Sequence, residues 1–146
     1  MNNVEKLSVV DRILENAADQ LGDISPLVLD RFHRDHPEAK ALFSHHGGSR
    51  TTQLENDMVE SAVYCLMIWF ERPAEIEVMF SNTVPHHELL KIPAELFSSL
   101  LETTHNVIEK TIPERDQPSQ RVWSELKRTL VELANASSLE SLNLAY

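Results

Sequence analysis

Prolines and glycines leave this chain little choice of architecture. Its three glycines are Gly22, Gly47 and Gly48, and most of its seven prolines, Pro26, Pro37, Pro73, Pro85, Pro93 and Pro118 among them, stand where a helix can start. Proline is tolerated in the first turn of a helix, where its missing N–H has no partner to lose, and glycine is favoured just past the last turn. Between these breaks apolar residues recur every three or four positions, the period of a helix with one buried face. The pattern predicts an all-α protein of about seven helices.

In chain order, Ser8 and Asp11 form a capping pair for a first helix carrying Val9, Val10, Ile13, Leu14, Ala17 and Leu21, which Gly22 ends. Ser25 caps a second helix, with Pro26 at its first position and Leu27, Val28, Leu29 and Phe32 as apolar members. His36-Pro37-Glu38 opens a short turn ending at Leu42-Phe43, and residues 44–51 read as a polar, exposed loop. Thr52 and Glu55 make a capping box for the longest helix, to about Glu71. One of its faces carries Leu54, Met58, Ala62, Cys65, Leu66 and Trp69, and a second carries Val59, Val63, Met67 and Phe70.

Pro73 starts a helix with Ile76, Met79 and Phe80, and Pro85 a separate, shorter one with His86 and His87. Pro93 opens the next, whose face is Leu96, Phe97, Leu100, Leu101, Thr104, Val107 and Ile108. After a loop, Pro118 or Ser119 begins the last, striped by Val122, Trp123, Leu126, Leu130, Leu133 and Ala134. The tail, residues 137–146, is expected to fray or pack weakly. Residues 1–146 thus read as a single domain with its core at about 8–136, of a size that can bury a core around a ligand.

A net charge of −10 removes the basic stripe that a nucleic-acid surface needs, and it disfavours anionic membranes. No apolar run reaches membrane-spanning length, and the start, MNNVEKLSVVDR, has neither the cationic nor the apolar part of a signal peptide. The single cysteine, Cys65, cannot form an internal disulfide, which suits a reducing cytoplasm. There is no Gly-x-Ser-x-Gly elbow to support hydrolysis. Cys65 lies inside an apolar helix, where a thiol is ordinarily inert.

Residues 80–97 concentrate the chemistry: the pair His86 and His87 stands after Pro85, and Lys91-Ile92-Pro93 turns the chain into the next helix. A histidine one turn before such a corner, under apolar walls, can offer an imidazole to a buried metal cofactor. Leu29, Phe32, Phe43, Cys65, Phe80, Ile92, Phe97 and Leu100 are available to wall a flat macrocycle. His105 and Glu109, one turn apart, have the spacing of a carboxylate-bridged metal site, but a di-iron bundle needs several such pairs.

His36-Pro37-Glu38, with Phe43 six residues after the proline, and a histidine ahead of Ile92-Pro93 together resemble the globin family over roughly residues 8 to 136. The resemblance implies a globin-like fold holding haem iron. It further implies binding of a diatomic gas (oxygen, nitric oxide or carbon monoxide) as carrier, sensor or scavenger, rather than primary enzyme activity. It makes Phe43 a haem-face residue and sets Leu29, where many bacterial globins have tyrosine, toward the gas ligand. Two family spacings fit the proximal ligand: His86 is followed by Ile-Pro after five residues, and His87 has Ile92 five residues on. Leu90, apolar three residues beyond it, favours His87 as the iron ligand. Aligning the long helix on Ala62 puts Met58, Ser61 and Cys65 on the distal side, and a shift of one turn puts Leu54, Asp57 and Ser61 there. His45 or His46, in the expected loop, is a candidate sixth ligand. The alternative is a globin-fold module without haem, used in signalling or interaction. The second apolar face of the long helix suggests a homodimer.

Overall fold

In the computed structural model, which describes residues 1–143, every regular element is a helix. Residues 144–146 of the expected tail lie outside the described residues. Helix α1 (Asn3–Leu21) starts more than a turn before Ser8, because Asn2 caps it: its Oδ1 accepts the Glu5 N–H at 2.8 Å. Lys6, in the added turn, donates to Glu125 at 2.8 Å and so ties the helix start to the last long helix. Gly22 closes α1 as expected, at a φ of 65° that an L side chain would resist.

Helix α2 (Ser25–Asp35) has Pro26 in its first turn, while the side-chain acceptor comes from Asp23, which takes the Ser25 N–H at 3.0 Å. Helix α3 (Pro37–Gly47) continues well beyond Phe43, and a 3-10 turn (Gly48–Arg50) leads directly into α4 (Thr51–Ile68). The expected polar loop is therefore largely helical, with its break confined to Gly48 at φ 54°. The Thr52 capping box does not form. Thr51 donates its hydroxyl to the Gly48 carbonyl at 2.7 Å, and Glu55 faces His33 at 3.2 Å.

Helix α5 (Pro73–Leu89) is one element where two were expected, and Pro85 lies inside it. Ile76, Phe80 and Val84, buried at four-residue intervals, carry one packing stripe up to the proline, and His87 and Glu88 are half-buried just beyond it, so packing on both sides overrides the local break. Helices α6 (Ala94–Glu109), α7 (Gln117–Ala136) and α8 (Leu139–Asn143) complete the chain. Asp116 caps α7 by accepting the Ser119 N–H at 3.2 Å and its hydroxyl at 2.7 Å. The start of the tail does not fray: Ser137 and Ser138 are buried, and α8 is anchored on Glu88.

Helix α6 is central and packs on α7, α4 and α2, while α1 lies across α7 and α4. The main core gathers Leu66, Ile76, Phe80, Ile108, Trp123, Leu126 and Leu130, and a smaller one gathers Val28, Phe32, Ala39, Val59, Leu100 and Val107. The second face of α4 is not left bare. Val59 and Phe70 are buried within the chain and Val63 is half-buried, which leaves Met67 as its exposed member. Among the described residues no helix is long and apolar enough to cross a membrane.

Candidate functional site

Helix α5 delivers His87 to an apolar cavity of about 400 Å³. α4 and α5 flank it, residues of α3 and α6 close it, and Phe32 reaches it from α2. The walls include Phe43, Leu54, Met58, Ala62, Met79, Phe80, Ile92, Leu96, Phe97 and Leu100. Its lining contains no carboxylate, lysine or arginine, so the charge of the protein stays outside.

The His87 ring is held from two directions. Its Nδ1–H donates to the Thr83 carbonyl one turn back at 2.7 Å, and it packs T-shaped with Phe97, centroids 5.4 Å apart. Phe97 is itself set against Phe80 at 5.3 Å. With Nδ1 committed, the ring carries its proton there, and Nε2 keeps a free lone pair with no hydrogen-bond partner among the described residues. Burial pushes the His87 pKa below 6.5, against the Thr83 carbonyl, which pulls it up, so the imidazole is neutral at pH 7. His86 also borders the cavity but is exposed, with no hydrogen bond of this kind. The geometry thus separates two histidines that sequence spacing left together.

No protein-family model, curated protein or solved structure matches this chain. What the site does has to be read from its own atoms.

Phe32, Phe43, Met58, Ser61, Cys65, His86, His87, Ile92, Phe97 and Leu100, expected from the sequence, all border this one cavity. Leu29 does not: it packs against the smaller core, which includes Phe32, and is not part of the cavity lining. Asp57 is exposed and outside the lining, whereas Leu54 and Ser61, from the same one-turn shift, are within it. Cys65 is buried with its thiol donating to Met79 Sδ at 3.8 Å, and burial pushes its pKa up to about 12, so it is an inert thiol.

Ala39, Leu42, Met79, Thr83 and Leu101 escaped the sequence reading because nothing but packing distinguishes them from other apolar or small residues. His46 was expected in a loop, as a candidate sixth ligand together with His45. It stands in the last turn of α3, borders the cavity, and its Nε2 meets the Leu90 carbonyl at 3.2 Å, which joins α3 to the end of α5.

The other histidines have structural employment. His105 is fully buried: its Nε2–H donates to the Trp123 carbonyl, Trp123 Nε1–H donates to the His105 carbonyl at 3.1 Å, and the rings stack at 4.8 Å. That clamp joins α6 to α7, and Glu109 lies no closer than 3.9 Å. Among the described residues, no group of three or more His, Cys, Asp or Glu converges as a metal site. What the cavity offers a cofactor is one neutral imidazole and apolar walls, which fits a macrocycle that brings its own ring nitrogens.

Proposed function

We propose that this protein is a haem-binding, globin-like protein that takes up a diatomic gas, oxygen, nitric oxide or carbon monoxide, as carrier, sensor or scavenger, with His87 as the proximal ligand. One observation carries the proposal: His87 Nδ1–H is fixed on the Thr83 carbonyl at 2.7 Å, which leaves an unprotonated Nε2 free on a ring that borders an apolar cavity. A hydrogen bond from the other ring nitrogen to a backbone carbonyl is how a protein fixes the tautomer and orientation of a metal-binding imidazole.

When bound, haem supplies an iron atom able to take a gas ligand. The residues of the chain do the rest. His87 holds the proximal position, Phe97 limits rotation of its ring, and Phe43, Leu100 and Met58 keep water from the walls. Hydrogen-bond donors from α4 are weak: Ser61 is exposed, and the Cys65 thiol is engaged by Met79. A gas that accumulates negative charge gains little here, so dioxygen should be retained poorly relative to carbon monoxide. A buried, reduced Cys65 also fits a cytoplasmic protein.

Titration of the purified chain with haem tests the proposal. Wild type should show a Soret band that saturates at one equivalent, His86→Ala should keep it, and His87→Ala should lose it. Normal uptake by His87→Ala would defeat the assignment. Absence of uptake by the wild type would favour the haem-free signalling or interaction module.

A further inference from the structure

The last turn of α5 is tied to the far end of the chain. Glu88, beside His87 in sequence, commits both carboxylate oxygens to the segment that begins α8: Oε2 accepts the Ser138 hydroxyl and Oε1 the Leu139 N–H, each at 2.8 Å. Ser138 in turn accepts the Glu140 N–H at 3.3 Å. Ser137 and Ser138 are buried, so the junction between α7 and α8 is packed rather than solvated. A carboxylate that satisfies two donors at once fixes direction as well as distance, and such charge-assisted bonds are the stronger kind.

The backbone of the same turn closes α5. The Glu88 carbonyl accepts the Lys91 N–H at 3.0 Å and the His87 carbonyl accepts the Ile92 N–H at 2.9 Å, the pair of bonds that defines a Schellman close. Lys91 holds the left-handed position at φ 67°, where glycine is usual. Leu90 and Ile92, on either side of it, border the cavity. Glu88 therefore sits where the start of α8, the closing turn of α5 and the cavity histidine meet.

We propose that Glu88 is a positioning residue for His87. By holding the start of α8 against the end of α5 it fixes the turn from which the imidazole reaches the cavity, so the placement of the C-terminal segment and ligand affinity at His87 are coupled. The affinity half of this rests on the haem assignment above, and the mechanical half does not. Coupling of this sort is reciprocal: whatever moves α8 loosens the ligand, and a bound ligand stiffens α8.

Amide hydrogen exchange on the full-length chain without haem tests the mechanical half. In Glu88→Ala the Lys91 and Ile92 amides should exchange roughly tenfold faster or more than in wild type. Ser138→Ala, on the other element, should speed the same two amides. Glu88→Gln keeps one acceptor oxygen and the fold, and should fall between. If Ser138→Ala and Glu88→Gln speed exchange around Leu139 alone and leave Lys91 and Ile92 unchanged, Glu88 only anchors the tail and the proposal fails. The second arm measures haem release. Ser138→Ala should release haem several-fold faster than wild type, and an unchanged release rate would overturn the link to His87. Absence of haem uptake by the wild type would remove the cofactor assignment, with the exchange result still deciding whether the two elements are coupled.

Discussion

His105 is a buried histidine with a packing role. Its ring stacks on Trp123 and the two residues exchange hydrogen bonds with each other's carbonyls, while its Nδ1 has no partner among the described residues. Deleting the ring in His105→Ala leaves a void and removes the second donor on the Trp123 carbonyl, and should cost about 2–4 kcal/mol in a urea titration. Burial pushes the His105 pKa below 6.5, opposed by the Trp123 carbonyl, and burial lowers His87 likewise. The unfolded chain thus binds protons that the folded one refuses, and a depressed histidine contributes stability that is complete above its unfolded pKa. The urea midpoint should be flat above pH 6.5 and fall as pH drops from there through the depressed folded values. His105→Gln, which keeps a donor for Trp123 but cannot titrate, should weaken that acid dependence. Lys91 is the other residue with a distinct cost, since φ 67° strains an L side chain. Lys91→Gly should melt no lower than wild type. Lys91→Val, β-branched in the same conformation, should lose about 1–2 kcal/mol.

At the scale of elements, local signals set helix interiors well and helix ends poorly. Ser8 and Asp11 had the look of a start, yet Asn2 caps α1 more than a turn earlier, and Asn2→Ala should cost about 1 kcal/mol of thermal stability. The capping box read at Thr52 and Glu55 fails because the Glu55 carboxylate is better used against His33 on α2. Pro85 is the sharpest case. Its ring removes the N–H that would have met the Ser81 carbonyl, which argues for a break, but Phe80 and Val84 are buried ahead of it and His87 and Glu88 are half-buried beyond it, which holds α5 as one rod. The same continuity places His87 one turn beyond Thr83, the residue whose carbonyl orients it.

At the scale of the molecule, the cavity is what separates this helical assembly from a filled core. Ala62 borders it from the middle of α4, and Ala62→Phe should put a ring into that space. The variant should fold with wild-type helicity by circular dichroism and fail to take up haem. Unchanged uptake would mean that a ligand lies elsewhere. The expected homodimer also belongs to this scale, and the face that suggested it is mostly consumed by intramolecular packing, with Val59 against the α2–α6 side and Phe70 under the Lys6 ammonium at 5.4 Å.

Sequence alone was enough for the helical class, the positions of most helices and roughly half of the residues that line the cavity. Period and proline placement are local, and apolar residues at helical spacing must face inward somewhere. Between His86 and His87 it gave only a preference, for His87 through Leu90, because both satisfy a spacing to Ile92 and Pro93. Tertiary structure separates their surroundings: the His87 ring is half-buried against Thr83 and Phe97, and His86 is exposed. It also moved Leu29 off the cavity, merged the two expected helices around Pro85 and pinned the serine-rich tail on Glu88. Each of these depends on which surface of one helix meets another, and that is fixed only when every helix has buried its face at once.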